Sequence, residues 1–328
     1  MGCGEVVRDN PALAKHFKIK RPTTVLGNHL GVPDRRVSLR RRQAIVTLLV
    51  GNRYRADWHR FAKRYWVAYA ERHGLDVLAL ERVLDASSRA SRRSPAWQKL
   101  LILSQDFARR YDQIIWVDAD VVINPSAPLI TEGVSRERVG AVDEYAFPSP
   151  DDHAIVVRRV GDALHLPPGH VWPTPQSFYD SWGLPGSFPQ VVQSGVLVLS
   201  PKHHKDVLEH TYHTYEDRGG ATWGEMHPLS FELLSNDLVH WLDQRFNTIW
   251  TFVKALHYPW LLEENYEVLR KIRGLRRLAF RLDEARLRKP LTTTFRNSYF
   301  LHFAGCPRDV YGLDMSSQET SLEQSYLM

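Results

Sequence analysis

Two aspartates one residue apart interrupt an otherwise apolar run, Gln113-Ile114-Ile115-Trp116-Val117-Asp118-Ala119-Asp120-Val121-Val122-Ile123. Apolar residues on both sides demand burial, and two carboxylates in that setting are costly unless their charge is compensated. A hard divalent cation does this well, because Mg2+ and Mn2+ take oxygen ligands and bridge naturally to a diphosphate. The chain must therefore bury a strand as far as Val117 and still open at Asp118 to a charged partner. A D-x-D tripeptide alone is common by chance, so its weight comes from what surrounds it.

Ala44 to Val50 is a continuous apolar run, as expected of a strand buried on both faces of a parallel sheet, and Gly51-Asn52 ends it in a turn. Trp58, Phe61, Ala62, Tyr65, Trp66, Tyr69 and Ala70 then recur at helical spacing until Gly74 stops them. Asp76 to Leu80 reads as a second strand. Ser94 as N-cap and Pro95 in the first turn predict another helix, with Trp97, Leu100, Leu101, Ser104, Phe107 and Ala108 on its inner face. Gln113 to Val117 is the third strand. This β-α-β-α-β order is a nucleotide-binding arrangement, with ligands at the carboxyl ends of the strands.

Further along, Val139 to Val142 and Val191 to Leu199 read as strands, Pro201 starts a helix, and Tyr299 to Phe303 is a short closing strand. Residues 145–190, full of Pro, Gly, His and Trp, read as a long irregular stretch whose aromatic content points to function. No internal repeat is visible.

The 328 residues, 43% of them hydrophobic, suffice for a substantial core and exclude a disordered chain. A formal charge of +6 admits an anionic partner such as a nucleotide sugar, a nucleic acid or an acidic lipid. Arg35, Arg36, Arg40, Arg41 and Arg42 crowd the end of the N-terminal segment, and a second basic cluster runs from Arg270 to Lys289. These runs are first of all solvated faces, and peripheral contact with a membrane is the minority reading. Only Cys3 and Cys306 are present, so there is no disulfide framework and no zinc-ligand spacing. No stretch approaches the length of a membrane span, and Val6 stands where an acylation pattern after Met1-Gly2-Cys3 needs Ser or Thr. The expectation is a cytoplasmic protein.

Two other classes of function fit parts of the pattern. Asp118-Ala119-Asp120-Val121-Val122 also matches the D-x-D-x-[TV] string of haloacid-dehalogenase-type phosphatases, but that string normally follows a domain's first strand. The next acidic pair, Asp151-Asp152, follows Ser-Pro instead of an apolar strand. A non-catalytic basic protein gripping an anionic polymer would need no intact acidic pair.

From the D-x-D onward the chain resembles the retaining GT-A glycosyltransferases of families 8 and 34, the glycogenin-like and galactosyltransferase-like enzymes. WVDADVVI resembles their FLDADxxV, and VQSGVLVLS their FNAGVxLI. EMHPLS followed by WLDQRFNTIW resembles DQxxLN and LPxxFN, and LHFAG resembles HFxG. The four blocks occur in the family's order over residues 43 to 310.

The resemblance implies a GT-A fold: a Rossmann-like mixed sheet flanked by helices. It implies a basic-ended extension over 1–42, then one catalytic domain over 43–328. The nucleotide-sugar half would run to about 125 and the acceptor half from about 126 to 310. It also implies Mn2+ or Mg2+, a UDP-sugar donor, a hydroxyl-bearing acceptor, no nucleic acid and retention of configuration.

Carried over, Asp118 would meet the ribose and metal, Asp120 would chelate the metal, and His302 would be the third ligand. Gly305 would let the backbone approach the diphosphate. Arg308 stands where the family has lysine, which keeps the charge and changes its geometry. Lys99 would lie against the donor. Gly51, Asn52 and Tyr54 would hold the nucleoside, with Tyr54 stacking on the base.

Gln193-Ser194 replaces Asn-Ala, with Gln193 still counted at the donor site. Glu225 replaces Asp and could bond the donor sugar's hydroxyls. Met226 replaces the glutamine that lies near the reacting carbon. Asp143 and Glu144 are candidate sugar or acceptor contacts.

Overall fold

The computed structural model describes residues 42–163, 165–166, 171–218, 224–262, 272 and 275–313. The extension expected over 1–42 lies outside them except for Arg42, and so does Cys3. The AIVTLLV run forms β1 (Gln43–Leu48), buried throughout except at Leu48. After it the chain winds helically as α1 (Asn52–Asp57), a π turn (Trp58–Ala62) and α2 (Lys63–His73). Trp58, Phe61, Ala62, Tyr65, Trp66 and Tyr69 are all buried across these three segments. Gly74, at φ 68°, ends α2 in the left-handed conformation, and its N–H and that of Leu75 bond to the carbonyls of Glu71 and Ala70.

β2 (Asp76–Leu80) follows. The helix expected after Ser94-Pro95 is wound as 3₁₀ turns over Pro95–Ser104, with the Ser94 hydroxyl accepting from Ala96 N. Three residues per turn stack Trp97, Leu100 and Leu103 in the core. The same winding turns Lys99 inward, while Leu101, Ser104 and Phe107, expected inside, are only partly buried.

The next elements are β3 (Gln113–Val117), β4 (Val121–Ile123), β5 (Val139–Asp143), α3 (Pro150–Ala163) and α4 (Pro175–Ser181). β6 (Val192–Leu199), α5 (Pro201–Thr214), α6 (Met226–Ser235), β7 (Val239–Trp241) and β8 (Thr248–Ile249) succeed them. α7 (Trp250–His257), α8 (Arg276–Asn297) and β9 (Phe300–His302) complete the order.

The irregular stretch expected over 145–190 is thus corrected, because it holds α3 and α4. His153, Val156, Val157 and Val160 form a buried stripe at helical spacing on α3. Trp172, Phe178, Tyr179 and Trp182 are buried in the core, so the aromatics of this stretch serve packing.

The main sheet has six strands in the order β2-β1-β3-β6-β5-β7. β1 is parallel to β2 and β3, β6 runs antiparallel to β3 and β5, and β7 is parallel to β5. Alternate residues of β1 feed two cores. Ile45 packs with Trp58, Tyr65 and Phe295 on one face, and Ala44 and Val46 pack with Trp97 and Leu208 on the other. This is the mixed α/β architecture, a central sheet flanked by helices, that the sequence led one to expect. A second sheet, β4-β9-β8, pairs β9 antiparallel to β4 and parallel to β8. No helix among the described residues is long and apolar enough to cross a membrane.

Candidate functional site

The two sheets bring Asp118, Asp120 and His302 together. β3 ends at Val117, and the Asp118 N–H donates to the Gly195 carbonyl at 2.8 Å, tying the D-x-D to β6. β4 begins directly after Asp120 and pairs Val121 with His302. Phe303 N donates to the Asp120 carbonyl at 3.0 Å, and the Trp66 indole N–H donates to the Val121 carbonyl at 2.9 Å. One ligand atom from each of Asp118, Asp120 and His302 lies within 4.8 Å of the others, with His302 Nε2 3.3 Å from Asp120 Oδ1.

Behind this cluster lies Lys99, 4% exposed. Its ammonium contacts Glu225 Oε1 at 2.8 Å and Asp118 Oδ1 at 3.1 Å, and donates to the Ser194 carbonyl at 3.2 Å. The Ser194 hydroxyl donates to Glu225 Oε1 at 2.9 Å. Two departures from the family pattern, Ser194 and Glu225, are therefore hydrogen-bonded to each other.

Burial by itself would strip Lys99 of its proton, but Asp118 and Glu225 outweigh it and hold the ammonium above its ordinary value. Burial also works against charge on Glu225, and Lys99 overcomes this and keeps that carboxyl below the usual range. At Asp118 burial wins, aided by Asp120 and Glu225, and the carboxyl is pushed up despite Lys99 and His302. At Asp120 burial is offset by His302, which keeps the carboxyl low. Three carboxylates thus share the Lys99 ammonium and the His302 ring, whose proton affinity burial would lower but Asp120 raises.

The donor set fits a divalent cation, since such an ion at Asp118, Asp120 and His302 compensates the excess negative charge. An imidazole beside two carboxylates suits Mn2+ more than Mg2+. The far side of the His302 ring is also engaged, as is usual for a ligating histidine, because Nδ1 donates to Asn247 Oδ1 at 2.9 Å.

Asn247 received no role from the sequence, although it lies in the WLDQRFNTIW block. Gln193, expected at the donor, is buried and turned toward Asn247, with its Oε1 accepting from Asn247 Nδ2 and from Gly195 N, each at 2.6 Å. Gly195 is required here by space, because a Cβ would come within 2.4 Å of His302 Cε1. β5 helps to open the region. Its pairing with β6 jumps from Ala141↔Leu197 to Val142↔Gln193, leaving the segment between unpaired on that side.

Two cavities adjoin the cluster or the residues that back it. Tyr54, Asp57, Phe61, Asp120 and Phe303 are among the residues around the first, about 340 Å³. Gly51, at φ 96°, starts α1, and Asn52 accepts from Arg55 at 2.8 Å on the surface. Of the three loop residues expected to hold the nucleoside, Tyr54 is the one that reaches this cavity. Gly305, at φ 74°, turns the chain after Phe303, and Arg308 is exposed just beyond it.

The second cavity, about 270 Å³, is lined by Asp143, Glu144, Phe147, Gln193, Asn247 and Phe252 among others. Asp143 Oδ1 is occupied by the N–H groups of Tyr145 and Val191. Glu144 is 3% exposed, and its Oε2 has no hydrogen-bond partner among the described residues. Met226, the first residue of α6, is buried in the core. Asp151 and Asp152, the second acidic pair of a phosphatase reading, occupy the first turn of α3, where Asp152 and Ser149 bond to each other.

Burial raises the Glu144 carboxyl from 4.5 to about 8. Between those values the unfolded chain releases a proton that the folded chain keeps, so Glu144 lowers stability as pH rises. Glu144→Gln should match wild type at pH 4 and exceed it by about 3 kcal/mol at pH 9 in EDTA, read by urea denaturation. Equal stabilities at pH 9 would contradict the burial of an unpartnered carboxyl here.

No family model matches the chain, and no curated protein matches it. Several solved structures are distantly similar to it. A glycosyltransferase involved in the glycosylation of the major capsid of PBCV-1 is 13% identical over 82% of this chain and 97% of its own, with a TM-score of 0.44. The WbbM bifunctional glycosyltransferase is 11% identical over 88% of this chain and 52% of its own, with a TM-score of 0.41. Mouse xyloside xylosyltransferase 1 is 12% identical over 67% of this chain and 92% of its own, with a TM-score of 0.34. These are loose likenesses in fold.

Proposed function

We propose that residues 43–328 form a metal-dependent glycosyltransferase that moves a sugar from a UDP-sugar to an acceptor hydroxyl with retention. The observation that carries this reading is the Asp118–Asp120–His302 cluster at the carboxyl end of β3, with an excess of negative charge, one cavity lined by Asp120 and a second lined by the Gln193 and Asn247 that back His302. The carboxyl end of a parallel strand is where α/β folds bind nucleotides. The donor half is 43–125 and the acceptor half 126–310.

Asp118, Asp120 and His302 Nε2 hold a divalent ion, Mn2+ in preference to Mg2+. When bound, that ion supplies positive charge against the departing diphosphate. Tyr54 offers its ring to the base in the first cavity, with Gly51 and Asn52 shaping the approach. Gly305 lets the backbone near the phosphates and Arg308 adds charge to them.

Lys99 keeps Glu225 ionised and orients both Glu225 and Asp118. Glu225, held by Lys99 and Ser194, faces the donor sugar as a hydrogen-bond acceptor in place of the family's aspartate. Because Glu225 is already tied down, direct attack by the acceptor on the same face as the leaving group fits better than a covalent intermediate. The second cavity, with the neutral carboxyl of Glu144, takes sugar hydroxyls.

Calorimetry of UDP with the full chain, in Mn2+ and in EDTA, tests the reading. Binding that requires Mn2+ supports it. No binding of UDP, GDP, ADP, CMP or dTDP under either condition rules it out.

A further inference from the structure

We infer that Asn247 is a positioning residue for the metal centre, holding a hydrogen on His302 Nδ1 so that Nε2, beside Asp120, is the ring nitrogen left for a cation. Its consequence for metal binding rests on the function proposed above, while the ring tautomer does not.

The argument starts from a backbone group whose polarity is beyond choice. Gly195 N–H can only donate, so the Gln193 atom 2.6 Å away is the amide oxygen. That same oxygen lies 2.6 Å from the Asn247 amide, which must therefore present its NH2. The remaining Asn247 atom, 2.9 Å from His302 Nδ1, is then the carbonyl oxygen, and Nδ1 must carry a hydrogen. Turning the Asn247 amide over would set two oxygens against each other at 2.6 Å. Gln193 is 8% exposed, and Asn247 and His302 are 3% exposed, so water cannot easily replace any link. One backbone N–H on β6 thus sets the polarity of the relay Gly195–Gln193–Asn247–His302.

The consequence falls on the other ring nitrogen. Nε2 lies 3.3 Å from Asp120 Oδ1, at the cluster. With the hydrogen held on Nδ1, the ring offers a cation a lone pair, whereas the opposite tautomer would offer an N–H. Partners of this kind behind a ligating histidine change metal affinity by about 10–100-fold when removed. Gln193 stands where the resembled family has asparagine, and its amide oxygen meets Asn247.

The test uses full-length protein with 15N-labelled histidine. Two-bond 1H–15N correlation reads the ring tautomer, with Mg2+ bound and in the metal-free protein at alkaline pH. Calorimetry reads Mn2+ affinity. Wild type should show His302 protonated at Nδ1. Asn247→Leu should lose that pattern and weaken Mn2+ by about 10–100-fold.

Gln193→Met, which removes the acceptor one step further back, should weaken Mn2+ less. Gln193→Glu keeps an oxygen for both donors and should retain the tautomer. This pair also serves if Asn247→Leu fails to fold. Wild-type tautomer and affinity in both Asn247→Leu and Gln193→Met would overturn the proposal, as would a metal-free wild-type ring without a hydrogen on Nδ1. A wild type that binds neither ion refutes the metal centre, while the metal-free spectrum still decides the relay.

Discussion

Asp120→Ala abolishes Mn2+-dependent UDP binding and lowers sugar transfer on the order of 10³-fold or more, the scale expected when charge stabilisation of a leaving group is removed. The loss is specific because the structural duties at position 120 belong to its backbone, whose carbonyl accepts from Phe303 N. The side chain contributes charge to the cluster and a contact with His302. Because His302 holds its carboxyl below the ordinary range, ionised Asp120 favours the folded state, so the melting temperature should hold or fall modestly while binding disappears. Paired calorimetry and thermal melts check both halves. Wild-type UDP binding by the variant would exclude Asp120 from the metal site.

Lys99→Met has the largest expected effect on stability, a loss of about 3–4 kcal/mol at pH 7 in urea denaturation. Breaking a buried ion pair from one side leaves an uncompensated charge. Here Glu225, with 4% of its side chain exposed, is stranded, and Asp118, at 27%, is stranded with some help from solvent.

The pH dependence gives the sign. Lys99 holds the Glu225 carboxyl low, so its contribution is fully present above the ordinary carboxylate range. It is lost as pH falls through the lowered folded value. The gap between wild type and Lys99→Met should therefore narrow in acid. Adding Glu225→Gln to Lys99→Met should recover more than 1 kcal/mol, and strict additivity would show that the pair is uncoupled.

The sequence by itself determined the strands β1, β2, β3, β5, β6 and β9, because apolar runs bounded by turn residues leave few other structures. It determined the helix that Gly74 ends, because its aromatics recur at helical spacing. It also singled out Asp118 and Asp120, since two acids after a buried strand are a chemically expensive choice, whereas His302 was marked only by the resemblance of LHFAG to HFxG.

It did not reveal α3, whose stripe of His153, Val156, Val157 and Val160 was obscured by the proline- and glycine-rich sequence that follows. Nor did it show the inward turn of Lys99, which depends on Pro95–Ser104 winding as 3₁₀ and not as an α-helix. Tertiary structure alone decided that Gln193 reaches Asn247, that Asn247 backs His302, and that Gly195 must lack a side chain. Those contacts join residues 54 to 107 positions apart through strand pairing. Local patterns of burial can be read from neighbouring residues, whereas hydrogen-bond partners across a sheet exist only once register has been set.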